Sequence, residues 1–93
     1  MDKPHFTIKA ERIRPADGRL PTLIYRLLEE KTDGRPAFSF LCYAEEGTSL
    51  YETEAYLPDV TSDAETAERL LFLLWEGGVT PYALAETVAE WLG

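Results

Sequence analysis

Apolar and polar residues alternate through the first two-thirds of the chain, and the last third shows helical spacing instead. Phe6, Ile8 and Ala10 alternate with Thr7, Lys9 and Glu11, which predicts a half-buried strand over about residues 6–13. A second strand is expected over about residues 22–31, with Leu23, Tyr25 and Leu27 on one side and Ile24 and Leu28 on the other. Leu27, Leu28 and Glu29-Glu30 are good helix formers, so a helix competes there. Pro21 and the flanking Asp-Gly pairs favour a hairpin strand. The third strand, about residues 37–45, sets Phe38, Phe40, Cys42 and Ala44 against Ser39, Leu41 and Tyr43. The fourth, about residues 49–57, sets Tyr51, Thr53, Ala55 and Leu57 against Leu50, Glu52, Glu54 and Tyr56. Asp17-Gly18, Asp33-Gly34 and Gly47 punctuate these runs, and short turns imply an antiparallel meander. The tetrads ADGR and TDGR recur sixteen residues apart, through shared turn chemistry or a duplicated hairpin.

Beyond Pro58, which is expected to end the fourth strand, the period changes. Ser62-Asp63-Ala64-Glu65 reads as a capping box with the Ser62 hydroxyl on the Glu65 amide. Ala64, Ala67, Leu70, Leu71, Leu74 and Trp75 then form one helical stripe, with Phe72 and Leu73 outside it. Gly78 fits a left-handed stop with Val79 falling back on Leu74. Thr80-Pro81 restarts a helix, threonine as cap, whose stripe is Leu84, Val88, Trp91 and Leu92.

The expected fold is therefore α+β: a four-stranded antiparallel meander followed by a C-terminal αα-hairpin packed on one of its faces. Residues 1–93 read as a single domain, with the meander over about 6–57 and the hairpin over 62–92. The expected core is Phe38, Phe40, Leu70, Leu71, Leu74, Trp75, Leu84, Val88 and Trp91. Burial of each large side chain contributes ~1.5–3 kcal/mol before the entropy of ordering it.

Composition narrows the function. With 93 residues, 45% hydrophobic and 12% aromatic, the chain has the make-up of an ordinary globular domain. Seventeen acids against nine bases give a net charge of −8. Phosphate neutralisation dominates nucleic-acid affinity, so neither nucleic acid nor an anionic membrane is expected as partner. The helical hairpin superficially suggests a DNA-reading helix-turn-helix. Its second helix offers no Arg, Lys, Asn or Gln, and it carries Glu86 and Glu90 where a groove would lie. The lone Cys42 permits no internal disulfide, and residues 1–5 lack the apolar run of a signal peptide. The longest strictly apolar run, residues 70–75, is too short to span a bilayer. A cytoplasmic protein is expected.

Candidate chemistry is sparse. His5, the only histidine, sits near the terminus without partners that would fix a general base. Cys42 reads as a buried, inert thiol. Glu29-Glu30, Glu45-Glu46 and the pair Glu52 and Glu54 read as solvated acidic faces rather than cation sites. Phosphate loops, paired-cysteine metal motifs and serine-nucleophile elbows are absent from the sequence. The chain is not expected to be an enzyme, and no cofactor or metal is expected.

The informative feature is the sheet face that two short helices leave uncovered. It is expected to carry Lys9, Leu41, Tyr43, Glu52, Glu54 and Tyr56, with Ile24, Arg26 and Leu28 or their alternates. Tyrosines and leucines among charges suit a contact surface. Leu41, Tyr43, Glu52, Glu54 and Tyr56 are the candidate interaction residues. Phe72, Leu73 and Tyr82 form a second candidate patch, unless Phe72 and Leu73 lie between sheet and second helix. The leading function is a small interaction or accessory module with an unknown protein partner. Unpaired margins of the sheet also offer a homodimer. The alternative is an acidic regulator that mimics nucleic acid or masks a basic protein surface, with Glu45, Glu46, Glu52 and Glu54 as its patch.

The segment DVTSDAETAERLLFLLWEGGVTPYALAETVAEWL, residues 59–92, resembles the tail of a family of small uncharacterised proteins of anaerobic Gram-positive bacteria. The shared elements are Asp59-Val60-Thr61-Ser62, Leu70 to Leu74, Val79-Thr80-Pro81 and Glu90-Trp91-Leu92. Family members often have His-Leu in the second helix, where this chain has Ala83 before Leu84. The resemblance implies a bacterial domain of unknown function; it supports the fold and assigns no activity.

Overall fold

The computed structural model describes residues 6–45 and 53–93. Strands β1 (Phe6–Arg14), β2 (Leu23–Thr32), β3 (Arg35–Ala44) and β4 (Glu54–Thr61) form one sheet in sequence order, each antiparallel to the next. Helix α1 (Ala64–Gly77) follows, then a 3-10 turn (Pro81–Ala83) and α2 (Leu84–Leu92). The architecture is the α+β meander with a helical tail that the pattern predicts.

The two Asp-Gly tetrads solve different problems. Thr32 pairs with Arg35 across a two-residue turn. Its central residues, Asp33 and Gly34, have φ of 53° and 77°, as a type I′ hairpin requires. The β1–β2 connection is longer. There Asp17 Oδ1 accepts from the Arg19 and Leu20 N–H groups at 2.7 and 2.8 Å, an Asx-type turn.

The fourth strand lies later than expected. Residues 49–52 fall outside the described residues, and β4 continues through Pro58 to Thr61. Proline is tolerated because β4 is a margin of the sheet, where a missing N–H need not cost a ladder bond. The ladder also slips here: Phe40 opposes Leu57, whereas Phe38 opposes Thr61, so β4 carries extra residues. Asp59, at φ 50°, sits in that bulge and donates its N–H to the buried Ser39 Oγ at 3.0 Å.

The core joins Leu23, Tyr25 and Leu27 of β2 and Phe38, Phe40 and Cys42 of β3 to Ala67, Leu70, Leu71 and Leu74 of α1 and Leu84 and Val88 of α2. Trp75 is half-buried at the rim and donates its ring N–H to the Ile13 carbonyl at 3.1 Å. Trp91 is a correction: it is 41% exposed. Every residue from Ala89 onward is exposed, so the last turn of α2 projects beyond the core.

Helix ends follow local chemistry with a shift of one residue at the start. Asp63, not Ser62, caps α1; its Oδ2 accepts from the Thr66 N–H at 2.9 Å and the Thr66 hydroxyl at 2.6 Å. Aspartate competes well with serine for this role, and the Thr61 hydroxyl accepts the Asp63 N–H at 3.1 Å. Gly78 takes the expected left-handed conformation, φ 61°, with the Val79 N–H returning to the Leu74 carbonyl. A side chain at Gly78 would meet the Arg14 guanidinium at 2.9 Å. Thr80 makes no side-chain capping bond, contrary to expectation. Its carbonyl accepts the Ala83 N–H in the 3-10 turn.

Candidate interaction surface

Register fixes the uncovered face as rows of directly opposed residues. One row runs Ile13, Ile24, Tyr43, Glu54; the next runs Glu11, Arg26, Leu41, Tyr56. Ile8, Leu28 and Ser39 make a third row, and Phe6, Glu30 and Ala37 a fourth. Leu41, Tyr43, Glu54 and Tyr56 are thus neighbours on β3 and β4, as expected. Glu52, the fifth candidate, lies outside the described residues.

Two placements on β1 correct the sequence reading. A bulge between Ile8 and Ala10 reverses the facing of everything before it. Phe6 and Ile8 therefore share the open face with Leu28, while Ala10 packs toward the core. Lys9, expected on the open face, leaves the pairing register. Its ammonium sits 3.6 Å from Glu29, which opposes the core residue Phe38. Nothing in the composition of residues 6–10 signals a bulge, so Phe6 and Ile8 were missed as surface residues. Ile13 follows from simple alternation with Glu11.

The open face is not flat. Phe6 and Tyr56 come from opposite margins of the sheet, yet their rings meet edge-to-face with centroids 6.3 Å apart. Three interstrand gaps in a flat sheet span about 14 Å, so the sheet coils toward this side. Leu28 and Leu41 are half-buried within the curl, whereas Ile8, Ile13 and Tyr56 are 56%, 53% and 46% exposed. At its centre, Arg26 donates from Nε to Glu11 at 2.5 Å, and its guanidinium lies 5.2 Å from the Tyr43 ring centroid. The Glu11 bond raises the Arg26 pKa further, so the cation persists. Tyrosine and arginine are residue types enriched at the energetic centres of interfaces.

Both margins of the sheet are blunted. The β1 bulge holds a lysine, and the β4 bulge follows a proline. These are ordinary devices against edge-to-edge pairing. The second patch is divided: Phe72 of α1 lies beside Trp75, with the Arg12 guanidinium 5.7 and 5.4 Å from their rings. Leu73 is half-buried, and Tyr82 stands on the 3-10 turn, which touches β3 and β4.

Cys42 is fully buried, 3.7 Å from the Val79 carbonyl, and burial pushes its pKa up to about 12. It is therefore a protonated thiol at neutral pH rather than a nucleophile. Tyr25 donates to the same carbonyl at 2.8 Å, and burial raises its pKa as well. These two side chains tie the sheet to the interhelical turn. His5 and Glu46 lie outside the described residues. Among the described residues, no helix is long and apolar enough to cross a membrane.

A family model matches residues 5–93, taking in the strands as well as the helical tail. The chain belongs to the family of unknown function DUF6514. No curated protein and no solved structure matches it. For this DUF6514 member, the uncovered sheet face, with its rows of opposed residues, is the candidate site.

Proposed function

We propose that the chain is a small interaction or accessory module that works by protein contact and performs no chemistry of its own. Its setting is the cytoplasm of an anaerobic Gram-positive bacterium, which suits a lone, unoxidised cysteine. The carrying observation is the curled, half-apolar face where Leu41, Tyr43 and Tyr56 continue the sheet beside the Arg26–Glu11 pair. Such a face suits a protein partner: apolar anchors at the centre and charges that fix orientation. If a second copy is the partner, the bulged margins favour face-to-face over edge-to-edge pairing. The acidic-regulator reading rested on Glu45, Glu46, Glu52 and Glu54, of which Glu46 and Glu52 lie outside the described residues.

The test is quantitative affinity capture from the native host with the parent chain and the double variant Tyr43→Ala/Tyr56→Ala. A partner retained by the parent and lost by the variant supports the reading. Equal recovery by both removes this face as the contact surface. Sedimentation at several concentrations, parent against variant, reports whether the same face joins two copies.

A further inference from the structure

Charge along the chain is sharply segregated. Residues 1–35 hold eight of the nine bases, whereas residues 36–93 hold eleven acids and one base, Arg69. The strand order keeps that division in space, because β1 and β4 are opposite margins of the sheet. Every charged residue described on β4, the 3-10 turn and α2 is acidic: Glu54, Asp59, Glu86 and Glu90.

Along this acidic margin runs an apolar groove. Leu57 and Val60 of β4 form one wall, and Ala85, Val88, Ala89 and Leu92 of α2 form the other. The α2 residues have spacing i, i+3, i+4, i+7, which is one continuous helical stripe. Val88 is buried as the floor, Ala85 and Ala89 are exposed and small, and Leu92 is 49% exposed. Glu86 and Glu90 form the adjoining row on the helix, and Asp59 lies on the β4 side. A helix lying here beside α2 would extend the helical layer past the sheet margin.

We propose that this groove binds a basic amphipathic helix of a protein partner. Leucine-sized residues of that helix would rest on Ala85, Ala89 and Val60, and its flanking lysines or arginines would face Glu86, Glu90 and Asp59. Helix-in-groove docking uses this kind of apolar stripe. Arg35 lines a neighbouring pocket with Asp59, but the charged residues of β4 and α2 beside the groove are all acidic and select the sign of the partner's charge. The site is separate from the open sheet face, so either surface can fail without the other.

The probe is a short labelled helical peptide with leucines at i, i+3, i+4 and i+7 and lysines elsewhere. Its counterpart has glutamates in place of the lysines. Fluorescence anisotropy against the full chain gives affinity, and backbone amide shifts locate the contact. The lysine peptide is expected to bind and shift the amides of Val60, Ala85 and Ala89, and the glutamate peptide is expected not to bind. Ala89→Arg, at an exposed helical position, is expected to weaken binding by about tenfold or more with an unchanged melting temperature. Tyr43→Ala/Tyr56→Ala is expected to bind as the parent does. Four results each overturn the proposal: no binding of the lysine peptide, equal binding of the glutamate peptide, affinity indifferent to Ala89→Arg, or a concentration-dependent dimer that Ala89→Arg abolishes.

Discussion

The same strands build both faces of the sheet, yet their apolar residues meet different ends. On the covered face, Leu23, Tyr25, Leu27, Phe38, Phe40 and Cys42 are each 3% exposed or less. On the uncovered face Leu28 and Leu41 are half-buried, and Ile8, Ile13 and Tyr56 are about half exposed. Alternation within a strand assigns a residue to a face, but only the helices decide which face becomes core. The covered face holds the chain folded. The other carries large apolar side chains that stay partly in water.

Phe40 and Leu41 are consecutive residues pointing to opposite faces, so they give the most direct way to break this comparison. Phe40→Ala removes a side chain that is 1% exposed and is expected to cost ~3–5 kcal/mol. Leu41→Ala, next to it but half-buried, is expected to cost ~1 kcal/mol, because much of its surface already meets water. Urea denaturation measures both, as midpoint shifts at constant slope. Equal losses would mean that the uncovered face is packed as a second core, and the interaction reading would lose its physical basis.

A smaller effect sharpens how the covered face is closed. Tyr25 is buried in the sheet, yet its hydroxyl reaches the Val79 carbonyl between the helices. Tyr25→Phe keeps the ring and leaves that acceptor with only the weak Cys42 thiol, 3.7 Å away. The expected loss is ~1–2 kcal/mol, read from the same denaturation curves. An unchanged midpoint would mean that apolar packing alone holds the helical turn on the sheet.

How much of this was legible in the sequence depended on whether local chemistry or long-range pairing decided the matter. The type I′ turn at Asp33-Gly34, the glycine stop at Gly78 and the inward row Phe38, Phe40, Cys42 follow from a few adjacent residues, and each is where the pattern put it. The β1 bulge does not, since the reversal of Phe6 and Ile8 is fixed by pairing with β2, which leaves no mark on residues 6–10. Pro58 misled because proline ends a central strand, whereas the meander itself puts β4 at a margin, where the strand runs on through proline into a bulge. Trp91 kept the helical spacing of a core residue, and only the short reach of the core beneath α2 leaves it outside. Of the candidate face, β3 and β4 were readable from alternation, whereas its β1 contribution and its curl were not.

The smallest expected effect concerns charge, which the contrast between the faces does not require. Among the described residues, the strongest carboxylate shift lies in the β1–β2 connection. Asp17 accepts the Arg19 and Leu20 N–H groups and pairs with Arg14 at 3.2 Å, which lowers its pKa from 3.8 to about 2. A folded-state pKa below the unfolded one means that Asp17 adds stability above the unfolded value. That contribution is lost as the pH falls from 3.8 through about 2. Asp17→Asn retains an oxygen for the two backbone donors but has no proton to gain, so its stability should fall less steeply across that interval. Phe40 and Leu41 are themselves uncharged and lie away from the Asp17 turn, so Phe40→Ala and Leu41→Ala should shift the parent's pH–stability curve downward without changing its shape. A Phe40→Ala curve that instead flattens below pH 3.8 would couple the core to the titration of the Asp17 turn, and the division between an apolar interior and a charged perimeter would not hold.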